Sequence, residues 1–316
     1  MKKVLVVYYS QTGQLRDIVN ATVAPIQQSP DISVDIVELK PAKPFPFPWP
    51  FVRFFNTMPD TVYEDPMPIE PPAIDPDAHY DLVILAYQVW FLSPSMPTMA
   101  FLQSELAKKV LAGKPVITLI GCRNMWTVAQ ERVKEILTSF GARLIDNVVL
   151  TDSAHSAFTF ASTPIWMVFG KKGPLLNGLI PRAGISEEDI AGSARFGRAI
   201  AAQLPNRPAD ATNPMLSGLG AVSIHEGLIE SEKTVKRSFR LWGGFLRSLG
   251  KPSSPLRQLF VYFYFLFLLT MILTVVPLLA VVKMILKPFV RGAISDQRAY
   301  YAAPSGESRQ LLDGAA

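Results

Sequence analysis

Six residues near the N-terminus, Ser10 to Leu15, have the composition of a phosphate-binding turn. Ser10 and Thr12 supply hydroxyl groups, Gly13 lets the backbone approach a ligand closely, and the turn contains no acidic residue. Backbone N–H groups at a helix N-terminus are well suited to a phosphate dianion. The turn lacks the lysine and the spacing of a nucleoside triphosphate P-loop. Taken alone, it leaves an ordinary polar turn between a strand and a helix as the alternative.

The elements around this loop alternate between strand and helix. Short apolar runs predict buried strands of a parallel sheet over residues 3–9, 33–39, 81–87, 115–120 and 143–150. Helical spacing predicts helices over residues 14–27, 98–111 and 127–140, and a further helix that begins at Ser186, whose hydroxyl can cap it. The alternation predicts an α/β fold with a doubly wound, five-stranded parallel sheet.

Two insertions interrupt the pattern. Residues 40–78 carry 11 of the 27 prolines, a density that no central strand or helix interior tolerates. Residues 153–185 are apolar and irregular. We expect both insertions to wall an apolar path to the phosphate loop. A linker rich in Pro, Asn and Gly is predicted over residues 206–227.

Three motifs resemble those of flavodoxin-like proteins. Ser-Gln-Thr-Gly-Gln-Leu, after the first strand, resembles the flavodoxin phosphate loop Ser/Thr-x-Thr-Gly-x-Thr. The run Tyr87-Gln-Val-Trp-Phe-Leu-Ser-Pro-Ser-Met-Pro is similar to the loop that packs on the isoalloxazine in flavodoxin-like quinone reductases. Gly121-Cys-Arg-Asn-Met-Trp takes the place of the second loop that contacts the ring. The resemblance covers roughly residues 1–39, 79–150 and 186–204.

The resemblance implies a flavodoxin-like domain over residues 1–205 with FMN as its cofactor. The cofactor-binding residues that it implies are Ser10, Gln11, Thr12, Gly13, Gln14, Leu15, Gln88, Val89, Trp90, Phe91, Gly121, Cys122 and Arg123. Leu15 stands where the family has a hydroxyl residue, so one phosphate ligand is missing.

For several other residues of these loops, the sequence leaves open whether they contact the flavin or have only a structural role. Trp90 is favoured over Trp126 for stacking on the flavin, although tryptophan also packs cores. Arg123 could stabilise an anionic reduced flavin, with a solvated surface arginine as the alternative. Cys122 is expected to be an inert small apolar residue.

His155 follows the fifth predicted strand, where α/β folds place active-site groups. We predict it as a catalytic general base that takes an enol proton, with a surface histidine as the alternative. Metal ligands are not expected, because the chain has one cysteine and three scattered histidines.

Charge is distributed unevenly. Residues 228–316 hold 12 Lys+Arg and 5 Asp+Glu, so this part has a net charge of +7, whereas residues 1–227 have −2. A basic tail beside an apolar block points to anionic lipid rather than nucleic acid. No basic and aromatic platform for nucleic acid is evident.

The tail predicts membrane association. Residues 228–257 are predicted as an amphipathic basic helix on the membrane, with a helix packed on the domain as the alternative. Residues 258–282 have no charge, so residues 258–291 are predicted as a membrane anchor and residues 292–316 as a flexible tail. Basic residues flank both ends, and Pro277 allows a kink, so spanning and monotopic anchors both stay open.

These features predict a membrane-associated FMN-dependent oxidoreductase at the cytoplasmic face of the inner membrane. Its substrate is expected to be hydrophobic and quinone- or dione-like, and its further partners to be NAD(P)H or another redox partner, the lipid bilayer and a second copy in a homodimer. The chain also resembles flavodoxin-like proteins of bacterial dialkylresorcinol biosynthesis, which implies oxidative aromatisation. A membrane-tethered electron carrier and a flavin-free scaffold of a lipid-synthesis complex are the alternatives.

Overall fold

The computed structural model of this chain describes residues 1–152, 156–175, 177–178, 181–275, 278 and 291–313. The strands are β1 (Lys2–Tyr8), β2 (Ile32–Glu38), β3 (Leu82–Trp90), β4 (Ser93–Pro94), β5 (Pro115–Cys122) and β6 (Arg143–Thr151). The first helices are α1 (Gln14–Gln27), α2 (Phe51–Val62), α3 (Met96–Leu102), α4 (Glu105–Leu111), α5 (Thr127–Ser139) and α6 (Ser156–Phe169). The later helices are α7 (Glu187–Gly192), α8 (Ala194–Gln203), α9 (Glu226–Ser248), α10 (Pro255–Thr270), α11 (Arg291–Ala302) and α12 (Gln310–Asp313).

The sheet has six strands, not the five predicted. Five of them are parallel in the order β2-β1-β3-β5-β6. The sixth, β4, is only two residues long and pairs antiparallel with the end of β3. Without β4 the order is 2-1-3-4-5, which is that of the flavodoxin-like fold. The predicted α/β class is confirmed, and the loops after β1, β3, β5 and β6 meet at one edge of the sheet.

One predicted helix is two helices in the structure. The run 98–111 divides into α3 and α4 because Ser104 caps a new helix: its Oγ accepts a hydrogen bond from Ala107 N at 3.1 Å. The helix predicted to begin at Ser186 is confirmed as α7, since Ser186 Oγ accepts from Asp189 N at 2.9 Å.

Both insertions contain a helix, although the proline density of the first and the irregular sequence of the second predicted none. In the first, prolines crowd the segments before residue 51 and after residue 65, so the run between them is free to form α2, with Pro59 in its final turns. In the second, α6 tolerates a single proline, Pro164.

Helices α2, α9 and α10 form a second hydrophobic core beside the sheet. Its buried apolar residues are Phe55, Met58, Val62, Leu246, Val261 and Tyr264. Arg257, only 2% exposed, donates from Nε to Asn56 Oδ1 at 2.6 Å and from Nη2 to Asn56 O at 3.1 Å, and lies 3.5 Å from Asp60 Oδ2. The single helix predicted over residues 228–257 ends at Ser248 as α9, and residues 255–257 begin α10. Helix α9 is packed on the domain, which was the alternative to a helix lying on the membrane.

The predicted linker and flexible tail both pack on the sheet. Met215 N and Leu216 N donate to the buried carboxylate of Asp146 on β6 at 2.8 and 3.2 Å. Ser305 Oγ donates to the same carboxylate at 2.7 Å and accepts from Asn147 N at 2.8 Å. A buried carboxylate must be hydrogen-bonded, and here the predicted linker and the predicted flexible tail supply the donors.

One helix in the described part of the chain is long and apolar enough to cross a membrane. It comprises α10 and the single π-helical turn Met271–Val275 that follows it. Only 11% of its most apolar stretch is buried inside the protein.

The contact between α1 and α8 depends on Gly197. A Cβ atom built at Gly197 lies 1.9 Å from Thr22 O, whereas one built at Gly227 in α9 meets no heavy atom within 4 Å. We expect Gly197→Ala to lower the free energy of unfolding by about 2–4 kcal/mol, because one of the two helices must move. Gly227→Ala, the control, should raise it by about 0.5–1 kcal/mol through helix propensity. Urea denaturation measures both, and equal effects would contradict the close approach.

Candidate functional site

The predicted phosphate loop joins β1 to α1 at the carboxyl edge of the sheet. Gly13 has φ +85°, a left-handed conformation that suits glycine, and its carbonyl accepts from Asp17 N at 3.0 Å to start the helix. Arg16 N donates to Ser10 Oγ at 3.2 Å, which fixes the hydroxyl at the rim of the loop.

The loop presents a row of unused donors. Among the described residues, the backbone N–H groups of Gln11, Thr12, Gly13, Gln14 and Leu15 find no acceptor. Helix N-termini carry a partial positive charge, and such open donors form an anion site. The guanidinium of Arg16 adds positive charge beside these donors, since its Nη2 would lie 3.3 Å from a Cβ atom built at Gly13. The sequence pattern did not mark this residue.

Leu15 contributes packing and a backbone N–H rather than a side-chain ligand. Its side chain is 2% exposed and lies in the main core. A Cβ atom built at Gly121 would be 3.1 Å from Leu15 Cδ1 and 3.3 Å from Ile18 Cδ1. The position is covered by the end of β5, where the lack of a side chain at Gly121 allows this close contact.

Hydrogen bonds tie the phosphate loop to the ends of β5 and β6. Gln14 exchanges two bonds with Ile185, from Nε2 to O at 3.1 Å and from Ile185 N to Oε1 at 3.3 Å. Gly184 N donates to Asp152 Oδ2 at 2.8 Å, and Asp152 N donates to the carbonyls of Cys122 and Arg123. The three loops are thus held as one frame.

An aromatic group stands beside the phosphate loop. It consists of Tyr9, Phe45, Trp49 and Trp90, and the ring of Trp90 has its centroid 5.0–6.0 Å from the other three, in edge-on geometry. Burial raises the pKa of Tyr9, so its hydroxyl stays neutral. Gln88 Nε2 donates to Tyr9 O at 3.0 Å, and Val89 pairs with Pro94 in the short antiparallel ladder. Sequence reasoning singled out only Trp90 of the four aromatic residues.

The two insertions meet over this group. Trp49 N donates to Met167 O at 2.8 Å, and the rings of Phe47 and Trp166 lie 6.1 Å apart, edge to face. Gln11 Nε2 donates to Pro46 O at 2.9 Å, so the phosphate loop itself holds the first insertion. These contacts agree with the expectation that the insertions wall the loop.

Two residues of the loop after β3 have an unusual backbone conformation. Phe91 and Leu92 adopt left-handed conformations, with φ of +48° and +58°, which are uncommon for residues with bulky side chains. The Phe91 ring lies 5.2 Å from that of Phe54 and 6.0 Å from that of Phe239, in the second core. The ring of Phe91 therefore packs in the second core, and its contact with the flavin stays a prediction.

The loop after β5 is largely buried. Burial raises the pKa of the Cys122 thiol, so the group stays protonated and is not a nucleophile. Burial also lowers the pKa of Arg123 to about 10, which leaves it charged at neutral pH, with Asp152 nearby as its counter-charge. Trp126 is 3% exposed and packs in the main core, which favours a structural role for it over flavin contact.

Helix α9 braces the loops after β3 and β5 with two side chains one helical turn apart. Glu232, 2% exposed, accepts from Thr127 Oγ1 at 2.8 Å and from Val128 N at 3.1 Å, at the N-terminus of α5. Lys236 Nζ donates to Leu92 O at 3.1 Å and to Ser93 Oγ. Burial raises the pKa of Glu232 to about 7 and lowers that of Lys236 to about 8. Nothing near these loops in the sequence pointed to partners more than 100 residues away.

His155, the predicted general base, lies outside the described residues. Within the described ranges, no three His, Cys, Asp or Glu residues are grouped so that they could hold a metal ion.

Comparisons with known proteins gave only structural similarity. No family model matches the chain, and no curated protein matches it. A flavoprotein of Lactobacillus acidophilus NCFM solved in complex with FMN is 17% identical, with a TM-score of 0.39 over 47% of this chain and 93% of that one. A flavodoxin from the domain Archaea is 12% identical, with a TM-score of 0.35 over 63% of this chain and 96% of that one. The apo form of the Lactobacillus flavoprotein is 18% identical, with a TM-score of 0.32 over 48% of this chain and 94% of that one.

The raised pKa of Glu232 has a consequence for stability. The folded protein holds this proton up to about pH 7, while an unfolded chain releases it near 4.5, so folding is favoured at acidic pH and loses stability as pH rises between these values. Glu232→Gln keeps the acceptor oxygen and should remove this dependence, which amounts to about 1 kcal/mol per pH unit. Urea denaturation from pH 5 to 8 measures it, with Glu230→Gln, an exposed carboxylate on the same helix, as control. Identical profiles for native protein and Glu232→Gln would contradict the assignment.

Proposed function

We propose that this chain binds FMN, with the phosphate on the loop from Ser10 to Leu15. The observation that carries the proposal is the row of five backbone N–H groups without an acceptor among the described residues. Phosphate bears close to two negative charges at neutral pH, and open N–H groups at a helix N-terminus stabilise it without any side-chain charge. Ser10 Oγ and the Arg16 guanidinium supply further donors at the rim.

The surroundings of the loop fit a flat aromatic ring system. The aromatic group supplies ring faces and edges next to the loop. Trp49, 2% exposed, has an indole Nε1 that finds no acceptor among the described residues, and a buried donor of this kind fits a carbonyl oxygen of a bound ligand. FMN bound here would supply a two-electron acceptor and donor. The charge of Arg123, the first residue of the loop after β5, would favour an electron-rich ring.

We infer an oxidoreductase rather than an electron carrier. Carriers usually expose the flavin edge on an open, acidic surface, whereas two insertions close over this loop and contact each other through Trp49 and Met167. Their aromatic lining favours a hydrophobic, quinone- or dione-like substrate. In such a reaction NAD(P)H or another redox partner exchanges electrons with the flavin, and His155 remains the predicted base for the substrate proton.

The proposed setting is the cytoplasmic face of the inner membrane, where a lipophilic substrate is concentrated. The support is the apolar helix α10 and the positive charge of residues 228–316. An oxidative aromatisation of dialkylresorcinol type is a reaction of this class, and a homodimer across the flavin is a compatible assembly. A flavin-free scaffold is the second candidate function, favoured by the buried apolar side chain of Leu15 at a family hydroxyl position.

Thr12→Asp tests the phosphate assignment directly. A carboxylate within a few ångströms of the phosphate should weaken FMN binding about 100-fold by repulsion, while the affinity for riboflavin, which has no phosphate, should change less than about twofold. An aspartate near a helix N-terminus is compatible with folding. Fluorescence titration of the purified full chain measures both affinities, with Thr234→Asp on the exposed side of α9 as the matched control.

Two results would contradict the proposal. Native protein that binds neither flavin would remove both redox functions and leave the scaffold. A variant that loses FMN and riboflavin equally would show that the loop does not hold the phosphate.

A further inference from the structure

An apolar surface runs along the outer side of α9 and α10. We name it the lipid face, and its exposed residues are Leu241, Phe245, Leu256, Leu259, Tyr262, Phe263, Leu266, Leu269 and Leu273. Ring contacts make it continuous between the two helices, since Phe260 lies 5.1 Å from Phe245 and 5.4 Å from Phe263. Contiguous exposed apolar surface of this kind marks an interaction site.

The opposite side of α10 is fixed to the protein. Val261 and Tyr264 are fully buried against α2 and α9, and Arg257 is held by the side chain and carbonyl of Asn56. Freeing this half of the helix would expose a buried arginine network and the second core, which costs several kcal/mol. The first turns of α10 therefore cannot be surrounded by lipid on all sides, as a spanning helix is.

The chain beyond the apolar segment returns to the same domain. Tyr301 and Ala302 lie in the main core, and Ser305 donates to Asp146 on β6. Glu307 accepts from Ile224 N at 2.9 Å. A helix that crossed the bilayer once would place these residues and the sheet on opposite sides of the membrane.

The connecting chain is too short to recross a bilayer as a helix. Between Val275 and Arg291 there are 15 residues. Backbone in the hydrocarbon core must be hydrogen-bonded within its own segment, and 15 helical residues span about 22 Å, less than the thickness of about 30 Å of that core. Entry into one leaflet is within this reach.

Basic residues at the border of the lipid face indicate what binds to it. Arg237 lies one and two turns before Leu241 and Phe245 on the exposed side of α9, and Arg240 and Lys251 are exposed beside it. Cationic groups at the border of an apolar surface match the head groups of anionic lipids.

We propose that the chain is a monotopic membrane protein, whose lipid face lies in one leaflet of an anionic bilayer with both flanks of residues 276–290 on the same side. The apolar side chains occupy the acyl boundary, and the exposed arginines and lysine occupy the head-group layer. This arrangement places the sheet beside the membrane without passing any folded part through it, and it does not depend on flavin binding.

Vesicle flotation of the full chain tests the lipid face. The double variant Phe263→Asp with Leu266→Asp should bind vesicles of phosphatidylethanolamine and phosphatidylglycerol at least about tenfold more weakly than the native protein. Ile36→Asp, an exposed apolar residue on β2, should bind like the native protein. Because both sites are exposed, unchanged thermal unfolding verifies that the variants fold. Unchanged flotation together with loss of a dimer in gel filtration would show that the face is a contact between copies, and would overturn the proposal.

Labelling tests the topology. A second cysteine is introduced either as Asp210→Cys on the domain or as Gln310→Cys on the tail, both at exposed positions, and each variant is treated with a membrane-impermeant maleimide. In spheroplasts and inverted membrane vesicles of a bacterial host, both should react in the same preparation, above the background of native Cys122. Reaction from opposite sides would establish a spanning anchor. Neither readout involves flavin, so their failure and that of the FMN proposal are separate results.

Discussion

The backbone N–H groups at the N-terminus of α1 are the constraint around which the rest of the site is arranged. A helix that starts at the carboxyl edge of a parallel sheet leaves its first donors pointing away from its own carbonyls. Here they stay open because Gly13 turns the chain in a left-handed conformation and no described side chain accepts a hydrogen bond from them. An anion would satisfy these donors. The close contact of Leu15 with Gly121 holds the end of β5 beside them.

The other loops are held by segments far away in the sequence. Gln14 fixes Ile185 at the end of the second insertion, Gln11 fixes the first insertion, and Glu232 and Lys236 of α9 hold the loops after β5 and β3. Through α2 and Arg257 the same helix is joined to α10. The candidate site and the lipid face are therefore parts of one packed structure, and a membrane contact at α10 lies next to the helix that positions the site.

Much of the sheet could be predicted from sequence because it depends on local signals. Five buried apolar runs, a helix capped by Ser186 and the Ser-Gln-Thr-Gly loop each report their structure within a few residues. The sixth strand was missed because two residues such as Ser93 and Pro94 have no periodicity, and the helix break at Ser104 because its capping competed with an uninterrupted apolar pattern.

The residues that hold the site in place from a distance could not be predicted, for a different reason. Glu232 and Ser305 read as ordinary polar residues of a tail, and only tertiary packing makes one a cap for α5 and the other a ligand of the Asp146 carboxylate. Proline content likewise predicted the first insertion wrongly, since composition averages over the stretch that forms α2, which contains only one proline, Pro59. The resemblance of its loop implied that Phe91 contacts the flavin, but it gave no sign of the left-handed backbone of Phe91 or of the packing of its ring in the second core.

We propose that the open amides of the loop from Ser10 to Leu15 hold a phosphate dianion. The phosphorus resonance of FMN mixed with the full chain tests this most directly. A free phosphate monoester takes up its second proton near pH 6. We expect the resonance of bound FMN to stay at its dianionic position as the pH passes through 6, because five backbone donors and the helix dipole stabilise the second charge. A resonance that titrates with the pKa of free FMN would contradict it.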